Sequence, residues 1–146
     1  MIRCILYPGA HIFSAAGGKE QSAQILAEKV EDICTKIPAF RREINWKRGG
    51  GTIQGKDHSC FIFKNGSSLE NVAARESSRG LRKHAGLIEE CVGVDQKILQ
   101  EILVPMMNVS RRCCDGTVQP DEVLNQSQLY ITTAGYKNTF SYDKLI

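Results

Sequence analysis

Two adjacent carboxylates, Glu89 and Glu90, follow directly on the short apolar run Ala85-Gly86-Leu87-Ile88. At the carboxyl end of a buried parallel strand, one acid can hold Mg²⁺ through water while a second polarises an attacking water, the arrangement used in nucleotide hydrolysis. A solvated strand-to-helix turn has the same local sequence, so the pair alone does not decide. Arg79 lies upstream in Ser78-Arg79-Gly80-Leu81-Arg82. A guanidinium on a Gly-containing loop can neutralise charge in phosphoryl transfer, in its own subunit or across an interface, and a plain surface-loop arginine reads identically. Thr132-Thr133-Ala134-Gly135 ends a third apolar run. Its two hydroxyls can sense a γ-phosphate or bond a catalytic glutamate, although Thr is also simply a good strand residue.

Other groups with chemical capacity are less organised. The six cysteines, Cys4, Cys34, Cys60, Cys91, Cys113 and Cys114, contain no CxxC spacing, which argues for free thiols over a zinc site or a disulfide framework. His11, His58 and His84 have no metal-ligand spacing. The formal net charge of +3 is too small to imply nucleic-acid binding by itself. Its distribution is uneven: Lys36, Arg41, Arg42, Lys47, Arg48 and Lys56 face only Glu43 over residues 36–56. That segment is either a solvated basic face or a surface that meets phosphates, with Arg41, Arg42, Lys47 and Arg48 as its candidate contacts.

Elements that would position these groups follow from hydrophobic period. Ile12 to Ala16 reads as a strand between the Pro8-Gly9 turn and Gly17-Gly18. From Lys19 to Ile37, apolar Ala23, Leu26, Val30, Ile33 and Ile37 recur at steps of three and four, and Pro38 closes this helix. Residues 40–75 change character, with short strands expected at Ile44 to Trp46, Thr52 to Ile53, Ser59 to Phe63 and Leu69 to Ala74, a β-meander inserted in an α/β fold. Ala85 to Ile88 reads as a strand buried on both faces. A helix capped by Asp95 follows, with Pro105 ending or kinking it. Gln128 to Thr133 forms another strand, and a helix is expected to begin near Asn138.

Length and composition fit this alternation. A chain of 146 residues with 42% hydrophobic and 24% charged residues is sized and built as one globular core. No run approaches the ~18 apolar residues of a membrane span, and the first residues lack a secretory pattern, so an intracellular protein is expected. The class expected is α/β with a mostly parallel sheet flanked by helices.

Taken in order, the features resemble the ATPase domain of the large terminase subunit of tailed bacteriophages, the motor that packages DNA into proheads. The resemblance spans essentially the whole chain. It is carried by Leu6-Tyr7-Pro8-Gly9 with a strand and then Gln21, by Phe63-Lys64-Asn65-Gly66-Ser67, by Ser78 to Arg82, by Gly86-Leu87-Ile88-Glu89-Glu90, by Pro105-Met106-Met107-Asn108 followed by Arg111, and by Ile131 to Tyr136. It implies a RecA/ASCE-like fold in which Glu89 is the Walker B acid on Mg²⁺, Glu90 the catalytic glutamate and Arg79 an arginine finger. Thr132, Thr133 and Gly135 would form the coupling motif, with Tyr136 and Asn138 beside it. It further implies ATP and Mg²⁺ as cofactors of the complete protein, other terminase chains, portal and double-stranded DNA as partners, self-association, and the cytoplasm of a bacterial host as location.

Two departures shape the expectation for this chain. Glu89 stands where the family usually has Asp. No GxxxxGK[ST] loop is present: Gly49-Gly50-Gly51 leads to Thr52, and Gly17-Gly18-Lys19 to Glu20. In the family that loop precedes the region matched here and a nuclease domain follows it. Residues 1–146 are therefore expected to be a single, incomplete ATPase domain that binds neither ATP nor Mg²⁺ tightly by itself. The rival expectation is a non-enzymatic, terminase-derived interaction protein that binds a terminase, DNA or a host factor.

Overall fold

The computed structural model describes residues 1–133 apart from 48 and 114. Its centre is a six-stranded sheet in the order β2-β3-β4-β1-β5-β6. The strands are β1 (His11–Ala16), β2 (Ile53–Gln54), β3 (Ser59–Ile62), β4 (Ser68–Ala73), β5 (Ala85–Glu89) and β6 (Ser127–Ile131). β4, β1, β5 and β6 run parallel, while β2 and β3 extend the sheet antiparallel beyond β4. The segment 40–75 is thus β-rich as expected. Its last strand also belongs to the parallel sheet, where it pairs with β1 over six positions.

Helices flank both faces. α1 (Ile2–Leu6), α2 (Lys19–Lys36) and α3 (Pro38–Glu43) come early in the chain. The stripe Ala23, Leu26, Val30 and Cys34 of α2 is buried, and Leu26, Val30 and Cys34 pack with Phe61, Phe63, Leu69 and Ile44 on one sheet face. Pro38 ends α2 but opens α3, because its fixed φ suits a first helical position. Helix therefore runs to Glu43, and Ile44 makes only a single bridge, to Phe63, where a strand was expected.

Phe13, Ala15, Val72 and Ile88 face the opposite side and meet the helical stretch 96–106. This stretch comprises α4 (Gln96–Ile98), a π-helical turn Leu99–Leu103 and α5 (Val104–Met106). Asp95 caps it, accepting from the Lys97 and Ile98 amides. Pro105 is its penultimate residue and a π turn precedes it, so the stretch ends beside the proline as expected.

The crossover through α2 carries β1 toward β4, and the crossover through α4 and α5 carries β5 toward β6, the opposite direction along the sheet. The two helical layers accordingly lie on opposite faces, as a common right hand requires. The expected helix from Asn138, with Gly135 and Tyr136, lies outside the described residues.

Candidate functional site

Between β1 and β5 the sheet has a switch point. The loop after β1 leads to α2 on one face, and the loop after β5 leads toward α4 on the other. In open parallel sheets the crevice beyond the carboxyl ends of two such strands is the usual ligand position. Gly17 and Gly18 enter it from β1, and Glu89 and Glu90 from β5.

The strand period separates the two acids. Ala85, Leu87 and Glu89 share the α2 face of β5, whereas Gly86 and Ile88 face the α4 side. Glu90 leaves the alternation altogether: its φ of 50° and ψ of 47° are left-handed, before the 3₁₀ turn Cys91–Gly93. This turn directs the Glu90 carboxylate to the first turn of α2, where Gln21 Nε2 donates to Glu90 Oε2 at 3.1 Å. The two loops also touch, since a Cβ at Gly17 would lie 3.5 Å from the Gly93 carbonyl oxygen.

The first turn of α2 is itself fixed from β4. Asn71 Nδ2 donates to the Lys19 and Asp57 carbonyls at 3.3 and 3.2 Å, and Asn71 Oδ1 accepts from the Ser59 amide at 2.7 Å. Lys19 Nζ pairs with Asp57 at 3.0 Å, which holds the Asp57 carboxyl below the ordinary range. A polar hollow of about 640 Å³ lies here, lined by Gly18, Lys19, Gln21, Asp57 and Arg75 among others.

Thr132 and Thr133 join the acids at the same edge. Ile131 of β6 is paired with Glu89, so the two threonines continue just beyond it, with the Thr132 hydroxyl donating to the Thr133 carbonyl at 3.2 Å. Arg79 is placed differently. Its Nε and Nη2 bond Glu76 at 3.1 and 3.0 Å, and Nη2 lies 3.7 Å from Glu101, so its partners are carboxylates of its own chain and not the Glu89–Glu90 pair. The adjoining Ser78 is buried and donates to the Ala73 carbonyl at 2.7 Å.

The basic segment is partly committed to structure. Arg41 pairs with Glu31 at 2.7 Å and lies 4.7 Å over the Trp46 ring. Arg42 and Lys47 are exposed, and Arg48 lies outside the described residues. Among the described residues there is no group of three or more side chains suited to hold a metal ion, and no helix long and apolar enough to cross a membrane. Cys4, Cys34, Cys60 and Cys91 are buried free thiols, with burial pushing Cys4 up to about 11.

A second feature adjoins the acids. On the α2 face, an apolar groove of about 810 Å³ runs between α2 and the β5–β6 half of the sheet, lined by Leu26, Val30, Ile33, Leu87 and Leu129 with Glu89 at one end. β6 is the outer strand of the described sheet, with Leu129 60% and Ile131 50% exposed.

Three pairings of a buried polar side chain had no signal in the sequence: Lys83 with Glu70, Arg111 with Glu122, and His84 with the His11 backbone. Each joins residues from different segments of the fold, which no local period reveals. Burial lowers the Lys83 pKa, and Glu70 supplies its counter-charge.

Among solved structures, the crystal structure of the HK97 bacteriophage large terminase superposes on 87% of this chain with a TM-score of 0.56 and 15% sequence identity. The match takes up 23% of that chain, so these residues span about a quarter of its length. No protein-family model and no curated protein matches this sequence. The two proteins share a fold, a mostly parallel sheet flanked by helices.

Proposed function

We propose that this chain is part of a terminase-type DNA-packaging ATPase, bearing the hydrolytic acids and the coupling strand while the phosphate-gripping loop comes from another segment or chain. The observation that carries this reading is the placement of Glu89, Glu90 and Thr132 along one carboxyl edge of the parallel sheet, beside its switch point. Glu89 is the Mg²⁺-directed acid, Glu90 the base that polarises water, and Thr132 and Thr133, with Gly135, the coupling segment.

The groove supports the same reading by handedness. A further parallel strand on the open edge of β6 that crosses to β1 runs in the same direction along the sheet as the β1-to-β4 crossover. A right-handed connection then lays its helix on the α2 face, over β6 and β5, where the groove lies. Such a helix starts at the carboxyl edge, next to Glu89, which is where a phosphate-gripping helix N-terminus belongs.

Alone, these residues do not fit a nucleotide. Two carboxylates repel phosphate oxygens, and Lys19, the cation at the α2 start, is already paired with Asp57. The isolated chain is therefore expected to hydrolyse no ATP, and turnover that Glu90→Gln abolishes would contradict this. In this reading the partners are the remainder of a terminase or other terminase subunits, then portal and double-stranded DNA, in the cytoplasm of a bacterial host. Arg79 acts in trans only after leaving Glu76 and Glu101, and Arg42 and Lys47 are the freer cations for DNA.

The test is a chimaera of the HK97 large terminase in which this chain replaces the superposed quarter. ATP turnover that is lost in Glu90→Gln supports the proposal; a folded chimaera that binds no ATP overturns it. The second reading, a non-enzymatic docking protein, is favoured by the open β6 edge and groove. It predicts that a terminase or host protein is bound equally well by the Glu90→Gln chain.

A further inference from the structure

We propose that Gln21 is the positioning residue for Glu90, a neutral clamp that fixes one oxygen of this carboxylate and leaves the other free to accept a proton. The inference rests on the reading of Glu90 given above and adds a residue to that site.

Three observations converge on it. Glu90 is one of two non-glycine residues with positive φ among the described residues, a backbone state that is strained for an L side chain and that clusters at working sites. Extended backbone would have carried Glu90 onto the opposite sheet face from Glu89; the left-handed turn brings it to α2 instead. There Gln21 Nε2 meets Oε2 at 3.1 Å, bridging two loops of the switch point that are 69 residues apart in sequence. Finally, the clamp stands on a rigid base. Gln21 lies in the first turn of an 18-residue helix whose start is tied to β4 by Asn71 and to the β2–β3 turn by Lys19 and Asp57.

The chemistry explains the choice of an amide. A general base must be oriented yet keep its negative charge and proton affinity. Arginine or lysine at this distance would orient the carboxylate but also neutralise it. The glutamine amide donates one hydrogen bond and brings no net charge, so it orients the carboxylate without neutralising it. Among the described residues the Gln21 amide bonds Oε2, which leaves Glu90 Oε1 for the reacting water in the proposed site.

Nuclear magnetic resonance of the isolated chain tests the clamp without any nucleotide. The proposal requires Glu90 side-chain couplings of a single rotamer in the wild type and averaged couplings in Gln21→Met, which keeps length and loses the donor. The Gln21 side-chain amide signals should shift in Glu90→Ala, while the urea midpoint of Gln21→Met stays near wild type. Couplings already averaged in the wild type, or unchanged in Gln21→Met, overturn it. In the HK97 chimaera the same substitution should lower kcat by roughly ten- to a hundredfold with KM unchanged. An unaltered kcat there also overturns the positioning role. A chimaera inactive even with Gln21 and Glu90 intact removes the ATPase reading and leaves the clamp to be judged on the couplings alone.

Discussion

Arg111 and Glu122 meet through two hydrogen bonds, Nε to Oε2 at 2.6 Å and Nη2 to Oε1 at 2.5 Å, with both side chains largely out of solvent. The remaining guanidinium nitrogen Nη1 donates to the Pro8 carbonyl at 2.8 Å, and the guanidinium lies 5.8 Å from the Tyr7 ring. This pair fastens the entry to β1 onto the loop that precedes β6. Removing one partner leaves a buried charge without compensation, so Glu122→Gln should destabilise the fold by about 3 kcal/mol in urea unfolding. Arg111 holds the Glu122 carboxyl below its ordinary range. That stabilisation is complete above the unfolded value near 4.5 and is lost as pH falls through the lower folded value. Glu122→Gln should therefore unfold with a flatter pH dependence below pH 4.5 than the wild type.

A second acid-sensitive contact operates at milder pH. His84 Nδ1 accepts the His11 backbone N–H at 2.8 Å, and the two rings stack with centroids 5.5 Å apart. Burial first, then His11, Arg111 and Lys83, lower His84 from 6.5 to about 4, while Glu122 pulls the other way. Native His84 stays neutral where the unfolded chain takes up a proton. Stability should thus be full above about pH 6.5 and fall toward pH 4, by on the order of 2 kcal/mol at pH 5. His84→Asn keeps an acceptor and cannot protonate, so its urea midpoint should change less between pH 7.5 and 5.

Glu90→Ala and Glu90→Gly both lose the bond to Gln21, but only glycine adopts φ of 50° without a steric penalty. The glycine variant should be more stable than the alanine variant by about 1 kcal/mol in thermal or urea unfolding. Equal stabilities would mean that the turn is not left-handed in solution.

The open edge predicts behaviour at concentration. Leu129 and Ile131 lie on the groove face of β6, the outer strand of the sheet among the described residues, and such an edge pairs readily with other chains. Light scattering should detect self-association that grows with concentration and is suppressed by Leu129→Lys, with the unfolding midpoint nearly unchanged. A wild-type chain that stays monomeric at high concentration would show that the edge is covered from within.

What could be read in the sequence was local. The stripe of α2, the apolar runs of β1 and β5 and the acids at a strand end all announce themselves within a few residues. The helix over Pro38–Glu43 escaped because three short-range cues, a proline, a phenylalanine and two arginines, fit a loop as well as a turn of helix. The turn of Glu90 toward α2, the side that Glu89 also faces, depends on one left-handed φ that no period encodes. Arg79's contact with Glu101, and the Lys83–Glu70 pair, are settled only when the elements pack. The elements that carry the candidate residues were therefore visible, and the bonds among those residues were not.

The last prediction concerns what holds the acids in register. Gly86 of β5 is paired with Phe13 of β1, and a Cβ at Gly86 would lie 2.4 Å from Phe13 Cζ. Phe13 is fully buried against Val72, Ile88 and Leu99, so its ring has little room to withdraw. Gly86→Ala should destabilise by about 1–3 kcal/mol, the ordinary cost of overpacking a core. Adding Phe13→Leu frees space at the same spot, and the double variant should lose less than the two single changes summed. The position also bears on chemistry, since Gly86 lies three residues before Glu89 on the same short strand. If β5 moves outward to accept the alanine methyl, the Gln21–Glu90 contact should lengthen, and the Gln21 side-chain amide signals should shift in Gly86→Ala and return toward wild type in the double variant.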